Sequence, residues 1–352
     1  MKAWTLYGIG DIRLEEIKRP SVKAGEVLVK VAAASICGSD IPRIYRDGAH
    51  RLPLTLGHEF TGKVEEVGAG VDRGWEGKRV GVFPLIPCRR CLMCRQKHYE
   101  LCGNYNYLGS RCNGGFAEYV AVPEWNLIQL PDSVEDVTAA MMEPMAVAVH
   151  AMRQSRNKGD SSSQKRAAVI GLGTIGMLLV MFLKEAGYET VYAVGNKALQ
   201  KKTALRFGIR GEEYLDAGEG DAVAWLLERT KGRGVDLIFE CTGRNETYVQ
   251  AIAAAGPLGQ VVLVGNPTSK RILERETYWR ILRNQLNICG TWNSSFTKEA
   301  SDDWHYVLKK LSEGRIHPEW LLSHSFSFSC LEEGLHIMRD KKEDYLKVML
   351  TL

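Results

Sequence analysis

Ala167-Ala168-Val169-Ile170-Gly171-Leu172-Gly173-Thr174-Ile175-Gly176 is an apolar run that closes on three spaced glycines. Its first four residues are small or β-branched and carry no charge, as a strand buried on both faces requires. The glycines follow as G-x-G-x-x-G, and the chain after them has helical composition over 174–187. Gly171 allows the tight turn, Gly173 lets a pyrophosphate approach the backbone, and Gly176 lets helix and strand pack closely. The helix N-terminus at Thr174 and Ile175 offers unpaired N–H groups and a favourable dipole to phosphates. In this context the motif predicts a dinucleotide site.

Downstream, strand-like Thr190–Val194, Val235–Glu240 and Gln260–Gly265 alternate with helical stretches at 198–207, 221–231 and 246–255. That alternation predicts an α/β fold, a doubly wound parallel sheet joined by right-handed crossovers. Upstream, Asn157 to Lys165 is a polar loop expected to open this domain, and Val134 to Arg153 is apolar with few breakers, hence helix. The first half is β-rich. Val27–Val31 has strand composition, the Val-containing runs between Gly62 and Val82 are cut by glycines, and Gly115-Phe116-Ala117-Glu118-Tyr119-Val120 reads as a strand entry. The tail from Thr297 combines a helix near Asp302–Ser312 with strand-like Tyr345–Leu352. It is too short for a domain, so it is expected to pack back on the first half.

In the dinucleotide fold an Asp or Glu about twenty residues past the glycines bonds the ribose hydroxyls. Here Val191-Tyr192-Ala193-Val194 ends in Gly195-Asn196-Lys197, with no carboxylate. Gly195 removes the repulsion of a 2′-phosphate and makes room, while Lys197 and Asn196 can hold it. NADP(H) is therefore favoured over NAD(H), against the alternative of a plain turn with a solvated lysine and relaxed cofactor choice.

Cys88, Cys91, Cys94 and Cys102 form C-x2-C-x2-C-x7-C, a spacing that closes four thiolates on one tetrahedral zinc. A ferredoxin run would end C-x3-C-P. A zinc-ribbon nucleic-acid module would show two separated knuckles. Cys37, His58, Glu59 and Glu143 are more scattered, but Cys, His and carboxylate are the set that holds a catalytic zinc with one position open.

The chain has 352 residues, 45% hydrophobic and 25% charged, with a net charge of +4. That length predicts two soluble domains. The small charge argues against a nucleic-acid partner and is compatible with an anionic substrate. No apolar leader follows Met1, and the longest apolar run is broken by glycines, so neither secretion nor a membrane span is expected. Nine cysteines without a leader point to a reducing compartment, the cytoplasm.

Gly57-His58-Glu59-x-x-Gly62-x5-Gly68-x2-Val71 resembles the signature of the zinc-containing medium-chain alcohol dehydrogenases. The cysteine loop, Gly115-Phe116-Ala117-Glu118-Tyr119, Glu143-Pro144 and the glycine motif occur in the same order as in that family, and the similarity covers nearly the whole chain. The resemblance implies a GroES-like β-rich catalytic domain (1–155 and 296–352) carrying one catalytic and one structural zinc. It further implies a Rossmann domain (156–295), an active site in the cleft between them, and a homodimer or homotetramer. Within the family, Cys37-Gly38-Ser39-Asp40, Pro42-Arg43-Ile44, Gly48-Ala49-His50, Thr55 to Phe60 and Gly109-Ser110-Arg111 resemble the polyol branch and its galactitol-1-phosphate 5-dehydrogenases. By this resemblance Cys37, His58 and Glu143 hold the catalytic zinc, and Glu59 is a ligand or exchange partner.

The expected reaction is reversible oxidation of a secondary hydroxyl of a polyol or polyol phosphate, with hydride transfer to NAD(P). Ser39, two residues after Cys37, is placed to take the hydroxyl proton. Arg43 and Arg111 are the first candidates to bind a substrate phosphate, ahead of Arg46 and Arg51, because guanidinium pairs bidentately with phosphate oxygens. Pro42 stands where many alcohol dehydrogenases carry a relay histidine, which leaves water or His50 as the proton exit. The rival substrates are an unphosphorylated polyol, a vicinal diol or L-threonine; the remote rival is a non-catalytic binding protein on the same fold.

Overall fold

The computed structural model describes residues 1–155, 166–267 and 269–352, and the polar loop Asn157 to Lys165 lies outside the described residues. The chain divides into two compact units, Met1–Pro144 with Ser295–Gly314 and Leu322–Leu352, and Met145–Ser294 with Arg315–Leu321.

The second unit contains a six-stranded sheet in the order Tyr214–Asp216, Thr190–Gly195, Arg166–Ile170, Val235–Glu240, Ala255–Leu263, Asn287–Gly290. Neighbouring strands are parallel throughout, with Ala167 beside Val191 on one side and Leu237 on the other. The direction of strand order reverses between Arg166–Ile170 and Val235–Glu240, and a crevice for a ligand opens at the carboxyl ends of strands where such a reversal occurs. Helix Thr174–Glu185 is buried from Gly176 to Leu183, as an apolar helix packed on a sheet must be.

The first unit is built on a sheet in the order Leu127–Gln129, Arg79–Val82, Glu59–Val67, Glu26–Ile36, Lys347–Thr351, Leu322–Ser327, with Tyr119–Pro123 also pairing to Glu26–Ile36. Val27, Val29, Val31, Phe60, Val64 and Val348 face its core. The register places Ser35 opposite Glu59 and Val348 opposite Ile36, so three strands converge where Cys37 leaves the sheet.

Several expectations are corrected. The expected helix Val134 to Arg153 is two helices, Asp136–Ala139 and Met142–Arg153. Pro144 sits in the first turn of the latter, where no backbone donor is needed. Because that helix runs on without a breaker, the border between units falls at Pro144/Met145 inside it, not at residue 155. Arg315–Leu321, expected in the catalytic domain, belongs with the cofactor unit. There Trp320 stacks on Phe207 (5.4 Å between centroids) and lies beneath Arg206 (4.4 Å). The strand expected at Gln260–Gly265 runs from Ala255 to Leu263.

Candidate active site and dinucleotide site

Cys37 follows directly on strand Glu26–Ile36, while His58 and Glu59 enter strand Glu59–Val67 from the opposite direction. The turn before them requires glycine. Gly57 has φ +89°, and a side-chain carbon there would lie 2.5 Å from the Phe116 ring. The ligand atoms of Cys37, His58 and Glu59 lie within 4.8 Å of one another. His58 and Glu59 are buried.

The electrostatics call for a cation. Burial alone would lower the His58 pKa, but the neighbouring Asp40 and, after it, Cys37 outweigh it and raise the pKa to about 10. Asp40 Oδ1 lies 3.6 Å from His58 Nδ1, an atom with no hydrogen-bond partner. Ser39 donates to Cys37 Sγ from both its amide (3.5 Å) and its hydroxyl (3.3 Å). A soft thiolate, an imidazole and a carboxylate converging in a buried, electronegative place fit a zinc ion.

Each carboxylate near the cluster has its own tether. Lys347 Nζ and Ser35 Oγ both donate to Glu59 Oε2, and Lys347 also donates to the Ile36 carbonyl. Both members of the Lys347–Glu59 pair are almost fully buried. Glu143, buried near the start of its helix, accepts from Tyr107 Oη at 3.0 Å and stands outside the three-residue cluster. Burial raises its pKa to about 7, against the pull of His58. The Tyr107 ring meets His58 edge-on at 5.9 Å.

The arginines divide. Arg43 donates to buried Asp40 at 3.0 Å, so part of its charge is committed to the carboxylate behind His58. Arg111 lies over the Tyr105 ring, 4.5 Å from its centroid, and Tyr105 meets Tyr107 edge-on. Burial, then the charges of Arg111 and Arg43, depress the His50 pKa below its ordinary value. Arg46 pairs with its neighbour Asp47 on the surface, and Arg51 donates to Asn113.

The four-cysteine loop closes on itself. Cys91 Sγ lies 3.5 Å from Cys94 Sγ and 3.9 Å from Cys102 Sγ, and Cys88 Sγ lies 3.9 Å from Cys94 Sγ. A disulfide would bring sulfurs to about 2 Å. A tetrahedron with zinc–sulfur bonds of about 2.3 Å has edges near 3.8 Å, which these separations match. Backbone N–H groups of Arg90 and Cys91 lower the Cys88 pKa to about 6, favouring the thiolate.

At the dinucleotide motif Gly171 takes φ +95°, and a side-chain carbon at Gly176 would meet the Gly171 carbonyl at 1.9 Å. Nothing lies within 4 Å of where a side chain at Gly173 would project, so space is open in front of the helix that begins at Thr174. Strand Thr190–Gly195 ends in a buried glycine, as expected, but the expectation that Gly195 makes room is corrected. A side-chain carbon there would meet Gln200 Oε1 and Tyr214 Oη, each at 2.7 Å. Gln200 accepts from the Asn196 amide at 2.9 Å, and the Tyr214 hydroxyl donates to the Lys197 carbonyl at 3.4 Å. Asn196 is exposed and Lys197 caps the following helix.

Asp40, Lys347, Ser35, Tyr107, Gln200 and Tyr214 were not singled out in the sequence. The Asp three residues after Cys37 was within reach of a motif argument. The others become neighbours of the site only through sheet register and loop path.

Residues 23–132 match the alcohol dehydrogenase GroES-like domain family, and residues 174–313 match the zinc-binding dehydrogenase family. Galactitol 1-phosphate 5-dehydrogenase of Escherichia coli strain K12 is 33% identical over 93% of this chain and 93% of its own. The crystal structure of galactitol-1-phosphate dehydrogenase from Escherichia coli aligns at a TM-score of 0.91 and 33% identity, covering 100% of both chains. (R,R)-butanediol dehydrogenase of Bacillus subtilis strain 168 is 38% identical over 75% of this chain and 77% of its own. A zinc-binding dehydrogenase from Sinorhizobium meliloti 1021, solved bound to NADP, aligns at a TM-score of 0.88 and 29% identity, covering 100% and 99% of the two chains. No helix among the described residues is long and apolar enough to cross a membrane.

Proposed function

We propose that this chain, which belongs to the zinc-binding alcohol dehydrogenase family and is a zinc-dependent, NAD(P)-linked dehydrogenase, oxidises a secondary hydroxyl of a polyol phosphate to the keto sugar phosphate. What supports the substrate is the likeness to galactitol 1-phosphate 5-dehydrogenase together with Arg43 and Arg111, two positive charges felt at His50 in the same unit as Cys37, His58 and Glu59. A phosphate monoester is the polyol substituent that two guanidinium groups and an imidazole are suited to hold.

Cys37, His58 and Glu59 hold the catalytic zinc, Glu143 stands next to them, and Cys88, Cys91, Cys94 and Cys102 hold a structural zinc. Zinc supplies the Lewis acidity that lowers the pKa of a bound hydroxyl, and the nicotinamide supplies the hydride acceptor. Ser39, whose hydroxyl lies 3.3 Å from Cys37 Sγ, would accept the substrate's hydroxyl proton while passing its own on to water or His50, so that it stays neutral. Asp40 would orient His58, and Lys347 and Ser35 hold one oxygen of Glu59, which would leave its other oxygen to serve as the ligand. Arg111 anchors the phosphate; Arg43 assists while it neutralises Asp40.

NADPH is the preferred reduced cofactor, because Gln200 and Tyr214 occupy the place an acidic residue would need and Lys197 stands at the helix start. Lys197→Ala is expected to weaken NADPH about tenfold and leave NADH unchanged; equal loss for both would show that Lys197 meets no 2′-phosphate. The quaternary state proposed is a homodimer. Strand Asn287–Gly290 is a sheet edge, and neighbouring helix Arg275–Arg283 has no buried residue, with Tyr278, Trp279 and Leu282 all exposed beyond 40%. An exposed edge beside exposed aromatic surface fits pairing with a second copy.

The test is reduced-nicotinamide formation from galactitol 1-phosphate, galactitol, sorbitol and butanediol. The phosphate ester is expected to exceed the free polyol in kcat/KM by about a hundredfold, the scale of one charge-assisted hydrogen bond or more. The second reading, an unphosphorylated diol or polyol, is favoured by the Arg43–Asp40 pair, and equal or better turnover of the free substrates would establish it instead.

A further inference from the structure

Glu240 ends the strand on the far side of the strand-order reversal from the glycine motif, with its backbone paired to Ile170. Its side chain is 2% exposed and is surrounded by hydrogen-bond donors. Oε1 accepts from the Thr242 amide (2.9 Å), the Thr242 hydroxyl (2.8 Å), the Thr247 hydroxyl (2.8 Å) and the Gly243 amide (3.1 Å), which also approaches Oε2 at 3.3 Å. A buried carboxylate is tolerated only when such donors replace its water. The Glu240 backbone carbonyl accepts from the Val264 and Gly265 amides, both at 2.9 Å. One residue therefore fixes two loops, each leaving the carboxyl end of a strand beside the dinucleotide turn.

The first of those loops touches that turn. A side-chain carbon at Gly171 would lie 2.4 Å from Thr242 Cγ2. The two loops also meet without space between them, since a side-chain carbon at Gly243 would lie 1.7 Å from the Asn266 carbonyl. Arg271 closes the far side by donating to the Gly243 carbonyl at 2.6 Å.

We propose that Glu240 is a positioning residue for the dinucleotide: its carboxylate fixes the Thr242–Gly243 turn against Gly171, and that turn forms the wall of the cofactor crevice. The inference rests on the dinucleotide reading of the glycine motif. Without the carboxylate, the amides of Thr242 and Gly243 and two hydroxyls lose their common acceptor, and the wall against Gly171 loosens. Glu240 lies in the second unit, whereas the candidate metal ligands lie in the first.

The test uses the zinc-loaded full chain and titrates NADPH and NADH by fluorescence, with zinc content measured on the same samples. Binding of either nucleotide by the wild type upholds the dinucleotide reading, independently of any variant. Glu240→Ala is expected to raise Kd about tenfold for the nucleotide the wild type binds, and Glu240→Gln, which keeps one acceptor oxygen, by about threefold. Zinc content and the KM for substrate at saturating cofactor stay at wild-type values. If Glu240→Ala does not fold, Thr247→Val, which removes one donor from Oε1, is expected to raise Kd about twofold to threefold with the melting temperature little changed. A wild-type Kd in the folded variants, or a loss of zinc and substrate affinity in step with the loss of cofactor, overturns the proposal.

Discussion

His50 shows how much a single side chain can report. Its residue surface is exposed, yet burial of the ring, and after it the positive charges of Arg111 and Arg43, hold its pKa below the ordinary 6.5. Removing a neighbouring cation favours the protonated ring, so Arg111→Ala is expected to raise the His50 midpoint in histidine-selective NMR. An unmoved midpoint would place Arg111 elsewhere and remove the substrate argument built on it. Cys37, His58 and Glu59, which the structure brings together, were legible as candidates because zinc chemistry restricts the residue types and because the motif around each is short; Glu143, also expected, stands outside that cluster. The tethers were not legible. Tyr107 reaches Glu143 only because the turn at Gly109 packs backbone to backbone on Gly57, a contact with no local sequence signature.

At the scale of elements, the C-terminal strand Lys347–Thr351 connects the fold to the chemistry. Its antiparallel pairing with Glu26–Ile36 brings Lys347 to Glu59 across the length of the sequence. Removing one partner of a buried ion pair costs about 3–5 kcal/mol, so Lys347→Met is expected to lower the melting temperature of the chelator-treated protein by several degrees. No change would mean that other donors already compensate Glu59. The cysteine loop makes a separate prediction. Cys91→Ser removes one ligand of four, and zinc analysis is expected to show one ion lost and one retained, because the two donor groups share no residue. Loss of both ions, or of neither, contradicts two independent sites. The alternation of strands and helices after Ala167 gave the parallel sheet correctly, since period and breakers are local. The border between units was misplaced because helix Met142–Arg153 contributes to both and composition does not mark where packing changes sides.

For the whole molecule, the family likeness and the fold agree, while the substrate rests on a few side chains. The proposed dimer is tested by sedimentation: the wild type is expected at twice the chain mass, and Leu282→Asp, which charges the exposed helix face, at the mass of one chain. A wild-type monomer contradicts the assignment of that surface. The measurement closest to the central claim compares kcat/KM for galactitol 1-phosphate and galactitol in the wild type and in Arg111→Ala. A preference for the phosphate ester that falls about tenfold or more in the variant, with turnover of free galactitol unchanged, is the predicted result. A preference of the same size in both proteins, or none in the wild type, contradicts it.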